Sequence, residues 1–132
     1  MLNISQKTIN SEISCAGIGI HSGAKVTMRL LPAAVNSGII FKRTDVEPSK
    51  SIVAANYKNV CETTLGTTIA NEHGTKIAVI EHFMSAIWGC KIDNLLIEIN
   101  AAEVPIMDGS AEPFVFLIEC AGINSQDSNR QV

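Results

Sequence analysis

Apolar and polar positions alternate through much of the first half of the chain, and this two-residue period predicts β-strands. In residues 25–30 every second side chain is apolar and those between are polar, which is typical of a strand with one buried face. Residues 39–43 resume an apolar run after a loop that ends in Asn-Ser-Gly, so the two segments predict a hairpin with a long loop. Further strands are predicted at residues 51–57, 64–70, 75–79 and 94–99.

The period changes near residue 80, where apolar side chains begin to recur at helical spacing. The positions that share one side of this predicted helix are Ile80, Phe83, Met84 and Ile87. A second helix is predicted over residues 111–120. Strands followed by two helices predict an α+β two-layer sandwich, in which a mostly antiparallel sheet carries both helices on one face. Three aromatic residues are expected in its core, Trp88, Phe114 and Phe116.

The end of the chain sets the expected domain limits. Asp108 or Ser110 can cap the second helix, because both side chains accept hydrogen bonds from backbone N–H groups at a helix start. After that helix, residues 124–132 are polar and show no period, so they predict a tail without regular structure. Residues 1–123 are therefore expected to form one domain.

Length and composition describe a globular domain with reduced thiols. The 132 residues match the commonest domain size, and 46% hydrophobic with 17% charged residues is unlike a disordered chain. The net charge of -3 argues against nucleic acid as a partner. The N-terminus lacks a signal-peptide layout, and no apolar run approaches the roughly 20 residues that span a bilayer. With four widely spaced cysteines, this predicts a cytoplasmic protein without a transmembrane segment.

Glu81 and His82 are the candidate chemical groups, because they fall where a predicted strand gives way to a helix. Unpaired N–H groups and the helix dipole favour an ionised carboxylate there, and a neutral imidazole whose lone pair is free for a metal ion. In a metal-assisted hydrolase, a carboxylate takes a proton from the attacking water. The pair therefore supplies one base and one ligand.

The alternative is ordinary helix chemistry, and the dipeptide by itself favours it. Acidic residues are common in the first turn of a helix, and a histidine there usually lies at the surface. A catalytic zinc ion needs about three protein ligands. The other histidines, His21 and His73, do not stand at a spacing that completes such a site.

Five motifs, taken in order, relate the chain to a known family. They are Gly17-Ile-Gly-Ile-His-Ser-Gly23, Phe41-Lys-Arg-Thr-Asp45, Val79-Ile-Glu-His-Phe-Met-Ser-Ala86, Ile92-Asp-Asn94 and Glu103-Val-Pro-Ile-Met-Asp-Gly-Ser-Ala111. Together they resemble the N-terminal domain of the UDP-3-O-acyl-N-acetylglucosamine deacetylases, which are zinc enzymes of bacterial lipid A biosynthesis. The resemblance covers residues 8–123, nearly the whole chain.

The resemblance implies a hydrolase built from two similar α+β domains, whose helices face each other around a zinc ion. Glu81 would be the general base that activates the attacking water, and His82 the one zinc ligand from this domain. The reaction would remove acetate from the N-acetylglucosamine unit of a UDP-linked acyl sugar.

Three further residues are implied at the substrate edge of the cleft or just behind it, His21, Thr64 and Asp108. Each has a plainer alternative reading. His21 is then a polar loop residue, Thr64 a strand residue favoured by β propensity, and Asp108 the cap of the last helix.

The chain departs from the family pattern because it contains no C-terminal catalytic domain. In the family that domain supplies the remaining His and Asp zinc ligands and the apolar passage for the acyl chain. A smaller departure is Gly66, where many members carry a cysteine. As an isolated chain, the protein is expected to lack deacetylase activity.

Three readings remain open at this point. The chain is the N-terminal half of the deacetylase, a non-catalytic remnant or binding module, or a fragment that complements a separately encoded C-terminal half. The implied partners are the UDP-linked acyl lipid precursor and either the C-terminal domain or a second copy of the chain. A homodimer would bring two Glu81–His82 pairs together.

Overall fold

A computed structural model describes residues 4–64 and 66–130 of the protein. The strands are β1 (Ser5–Ile9), β2 (Ile13–Ile18), β3 (Lys25–Pro32), β4 (Ile39–Arg43), β5 (Ile52–Ala54), β6 (Val60–Thr63), β7 (Gly66–Ala70), β8 (Lys76–Ile77), β9 (Leu95–Ile99) and β10 (Ile123–Asn129). The helices are α1 (Glu81–Gly89) and α2 (Glu112–Ala121). This content confirms the predicted α+β class. Among the described residues, neither helix is both long and apolar enough to cross a membrane.

The largest sheet has five strands in the order β2-β3-β9-β4-β5, and the strand between β3 and β4 corrects one prediction. β9 pairs antiparallel with β3 and parallel with β4, so residues 25–30 and 39–43 do not form a hairpin. An alternating pattern identifies the buried face of a strand but not its neighbour. β9 is the central strand, and three of its side chains are fully buried, Leu95, Ile97 and Ile99.

The remaining strands form two small sheets, and one of them contradicts the predicted tail. β6, β7 and β8 make one antiparallel sheet, while β1 pairs with β10 in the other. Most of residues 124–132 therefore continue the fold as β10, and the domain extends beyond its predicted limit at residue 123; residues 131–132 lie outside the described residues. The period missed this strand because it is polar and mostly exposed, and hydrogen bonds rather than an apolar face hold it.

Element limits otherwise follow the predictions closely at the helices and less closely at the short strands. α1 begins at Glu81 and α2 begins one residue later than predicted, at Glu112. Only Ile52–Ala54 is strand within the predicted 51–57 segment, and a 3-10 turn at Tyr57–Asn59 follows it. β1, β2 and β6 are additions to the predicted strands.

An aromatic column joins the sheet to both helices. Phe41 of β4, Phe83 of α1 and Phe114 of α2 are buried and meet edge to face, with ring centroids 5.8 Å and then 5.3 Å apart. Edge-to-face pairs of this kind add about 0.5–1.5 kcal/mol beyond burial. Because Phe83 follows His82 directly, the column also sets the orientation of the first turn of α1.

Two of the three aromatic residues expected in the core are exposed instead. Trp88 on α1 is 72% exposed and Phe116 on α2 is 66% exposed, whereas Phe114 is buried. Trp88 lies off the stripe that carries Phe83 and Ile87, so the helical period places it on a different side of α1. Aromatic character alone gave the wrong expectation.

Candidate functional site

The turn from β8 into α1 is held in a strained conformation next to the candidate residues. Val79 has a φ of 58°, a left-handed conformation that a β-branched residue rarely adopts. The neighbouring Ala78 is clamped, because its N–H donates to the Ala102 carbonyl at 2.7 Å and its carbonyl accepts from the Val104 N–H at 3.0 Å. These bonds hold the reversal that lets the helix begin at Glu81.

The carboxylate of Glu81 is oriented by the neighbouring strand β7. Its Oε2 accepts the backbone N–H of Thr67 at 3.3 Å. On the other side stands Gly66, with a φ of 95°; a Cβ there would lie 3.0 Å from Glu81 Oε1. The half-buried carboxylate is thus held by a main-chain hydrogen bond and approached closely by a glycine, where a side chain would crowd it. A carboxylate in such a position can accept a proton.

His82 lies close enough to Asp108 to affect the pKa of its carboxyl. Hydrogen bonds from Ser110, the hydroxyl at 2.7 Å and the N–H at 2.9 Å, lower the pKa of the exposed Asp108 carboxyl, and the nearby His82 lowers it further. His82 itself is half-buried in the first turn of α1. The structure therefore brings two of the predicted site residues, His82 and Asp108, near each other.

The other two predicted edge residues lie in exposed turns. Thr64 follows β6 and stands two residues before Gly66, the glycine that approaches the Glu81 carboxylate. His21 lies in the turn after β2, and the Glu103 carboxylate accepts its backbone N–H at 3.0 Å. Neither position assigns a role to the side chain.

An apolar groove of about 360 Å³ borders the Glu81 carboxylate. Ile80 and Met84 form part of its floor, and the exposed rings of Tyr57 and Trp88 also line it. A charged carboxylate at the margin of an apolar groove is the usual composition of a ligand site, in which a few polar groups orient a mostly apolar contact.

A complete metal site is not formed by these residues alone. Within residues 4–64 and 66–130, no group of three or more His, Cys, Asp or Glu side chains converges to hold a metal ion. A catalytic zinc ion needs about three protein ligands. His82 with Glu81 beside it therefore fits one part of a zinc site and not the whole of it.

Two contacts near the candidate residues were not found from the sequence, those of the Thr67 backbone N–H and of the Glu103 carboxylate. Backbone donors leave no signature in a sequence. Glu103 did leave one, because it stands next to the apolar Val-Pro-Ile run. An acidic residue that is buried beside such a run needs hydrogen-bond partners. The structure shows that it is buried.

The structure shows an α+β domain that presents a carboxylate and an imidazole at the start of a helix, beside an apolar groove. Residues 6–132 match the family model described as UDP-3-O-acyl N-acetylglycosamine deacetylase. The chain therefore belongs to the UDP-3-O-acyl N-acetylglycosamine deacetylase family.

Curated relatives agree with this assignment. The UDP-3-O-acyl-N-acetylglucosamine deacetylase of Chromohalobacter salexigens is 52% identical over 128 residues, which is 97% of this chain and 42% of that protein. The protein of the same name from Shewanella denitrificans is 50% identical over 123 residues, 93% of this chain and 40% of the relative. The chain spans about two fifths of the length of these relatives.

Proposed function

We propose that this chain is the N-terminal part of a zinc-dependent deacetylase that acts on UDP-3-O-acyl-N-acetylglucosamine in lipid A biosynthesis. The observation that carries the proposal is the Glu81–His82 pair in the first turn of α1, with the Glu81 carboxylate oriented by the Thr67 N–H. The names of the relatives support the substrate, and the 128-residue match supports the placement within a longer protein.

Each residue has a defined task in this proposal. Glu81 accepts a proton from the water that attacks the acetamide carbonyl, and the reaction yields acetate and a free amine on the sugar. The Thr67 N–H holds the carboxylate in place for that transfer. His82 supplies one ligand to zinc, which when bound stabilises the negative charge on the carbonyl oxygen. The other ligands would come from the C-terminal domain that the family resemblance implies.

Two exposed aromatic side chains, one on each helix, support a partner in the same protein. Trp88 on α1 and Phe116 on α2 are both largely exposed, and aromatic side chains are enriched where proteins contact one another. The proposed cover is the C-terminal domain, which would also complete the metal site. The proposed location is the cytoplasm, where the UDP-linked substrate would be used.

A second candidate function is favoured by the same two exposed aromatic side chains. In this alternative, the chain is a non-catalytic module that binds a partner or a second copy through Trp88 and Phe116. The two proposals differ in what Glu81 does, because a binding module does not need a carboxylate poised for proton transfer.

A chimeric enzyme tests the first proposal directly. The 128 matched residues of the Chromohalobacter salexigens relative are replaced by this chain, and acetate release from the UDP-linked substrate is measured. We expect Glu81→Gln to lower kcat by about 10²–10⁴-fold, the usual effect of losing a general base. His82→Ala should lower zinc content as well as activity.

The matched control is Glu112→Gln, because Glu112 also stands in the first turn of a helix but is exposed on α2. Its activity should stay within about twofold of the parent chimera, as for surface substitutions generally. A folded, zinc-loaded chimera that releases no acetate would reject the proposal. So would a Glu81→Gln variant with the parent rate, which would favour the binding module.

A further inference from the structure

Glu103 is a buried carboxylate whose two oxygens both bind the backbone of one turn. Only 6% of the surface of Glu103 is exposed to solvent. Oε1 accepts the N–H of His21 and Oε2 accepts the N–H of Ser22, each at 3.0 Å. Burying a charge is costly unless hydrogen bonds replace its hydration, so these two charge-assisted bonds are its compensation.

The backbone of Glu103 is fixed to the other side of the site. It forms an isolated parallel bridge with Ala78, through the bonds of Ala78 to Ala102 and of Val104 to Ala78 described above. Ala78 stands three residues before Glu81. One residue thus holds the His21 turn with its side chain and the approach to α1 with its main chain.

The turn is shaped to receive this carboxylate. Gly19 is buried, and a Cβ at that position would lie 2.7 Å from the Glu103 carboxyl carbon, too close to be accommodated. The turn closes on itself through the Gly23 N–H to the Gly19 carbonyl at 2.9 Å. The Ile106 N–H then donates to the Ile18 carbonyl at 3.0 Å, which continues the contact past the carboxylate.

We propose that Glu103 is a positioning residue, which fixes the turn carrying His21 relative to the start of the helix carrying Glu81 and His82. Glu103 does not touch substrate in this role and acts through His21. The inference rests on the proposed function, because a turn at the edge of a substrate cleft is what the family resemblance implies for His21. The bonds themselves are independent of it.

Amide hydrogen exchange and 15N relaxation of the 132-residue chain test the bonds. Glu103→Ala removes both acceptors, so exchange at His21 and Ser22 should quicken by at least about tenfold. Their order parameters should fall from about 0.85 toward 0.6. Glu103→Gln keeps its shape but has one carbonyl oxygen, so it should retain only one of the two bonds.

The control is Glu98→Gln on β9, which weakens a half-buried carboxylate pair with Arg29 and should leave the turn unchanged. Rigid, protected amides at His21 and Ser22 in Glu103→Ala would overturn the inference. If that variant does not fold, the same result in Glu103→Gln decides. General loosening of β9 along with the turn would also overturn it, because the role would then be merely structural.

Kinetics in the chimera test whether Glu103 acts through His21. Glu103→Gln should lower kcat/KM by about tenfold with unchanged zinc content. In a His21→Ala background it should lower kcat/KM little further, because substitutions at coupled residues are not additive. Equal effects in both backgrounds would overturn the inference. An inactive parent chimera would instead reject the proposed function, and the exchange experiment would still decide whether Glu103 holds the turn.

Discussion

At the scale of single residues, Val79 shows how backbone strain is concentrated beside the candidate site. A β-branched residue in the left-handed region costs on the order of 1–3 kcal/mol. The bonds of Ala78 on one side and of Ile80 to the Thr67 carbonyl at 3.2 Å on the other hold it there. The strain persists because the sharp reversal places Glu81 next to β7.

Substitution by glycine measures this strain. Val79→Gly and Val53→Gly should both lower the unfolding free energy, because both valines are buried. We expect the loss at position 79 to be smaller by at least about 1 kcal/mol. Each change removes about 1.5–3 kcal/mol of side-chain burial, but only position 79 regains about 1–3 kcal/mol of strain. Urea unfolding of the two variants makes the comparison. An equal or larger loss at position 79 would contradict a strained turn.

The candidate residues were predictable to different degrees, for a physical reason. Glu81 and His82 were located because a change from a two-residue to a helical period is a local signal. The partners of Glu103 were not, because His21 lies 82 residues away and a hydrogen bond to its main chain leaves no trace in the sequence. The period of a sequence does not reveal hydrogen bonds between a side chain and a distant main chain.

At the scale of elements, a network of side-chain amides explains why β10 forms from polar sequence. Asn94 is buried, and its Nδ2 donates to Gln126 Oε1 at 2.7 Å and to Gln6 Oε1 at 2.9 Å. Gln126 in turn donates to the Ala33 carbonyl at 2.8 Å. β10 is thus held by its hydrogen bonds, and an apolar period could not have predicted it.

Removal of one member of this network should be costly. Gln126→Ala is expected to lower the unfolding free energy by about 1–3 kcal/mol, because buried polar groups lose their partners. The adjacent exposed residue gives the control, since Asp127→Ala should change stability by less than about 0.5 kcal/mol. Thermal or urea unfolding measures both. Similar small effects would mean that β10 contributes little to the fold.

At the scale of the whole molecule, the chain by itself should not retain zinc. Native mass spectrometry with one equivalent of zinc is expected to show a metal-free chain for the parent and for His82→Ala alike, because in the proposed function His82 is one of about three ligands. A zinc-bearing parent species that disappears in His82→Ala would contradict this expectation. Its mass would show whether a dimer, with two Glu81–His82 pairs, holds the metal.

The pairing of β1 with β10 affects how the domain folds during its synthesis on the ribosome. Ser5 of β1 finds its partner, Asn129 of β10, only after nearly the whole domain has been made. At about 5–20 residues per second, that interval is on the order of ten seconds. Until then β1 is an open strand edge that can pair with a neighbouring chain. The polar strand at the end of the domain is therefore also what closes this period of exposure.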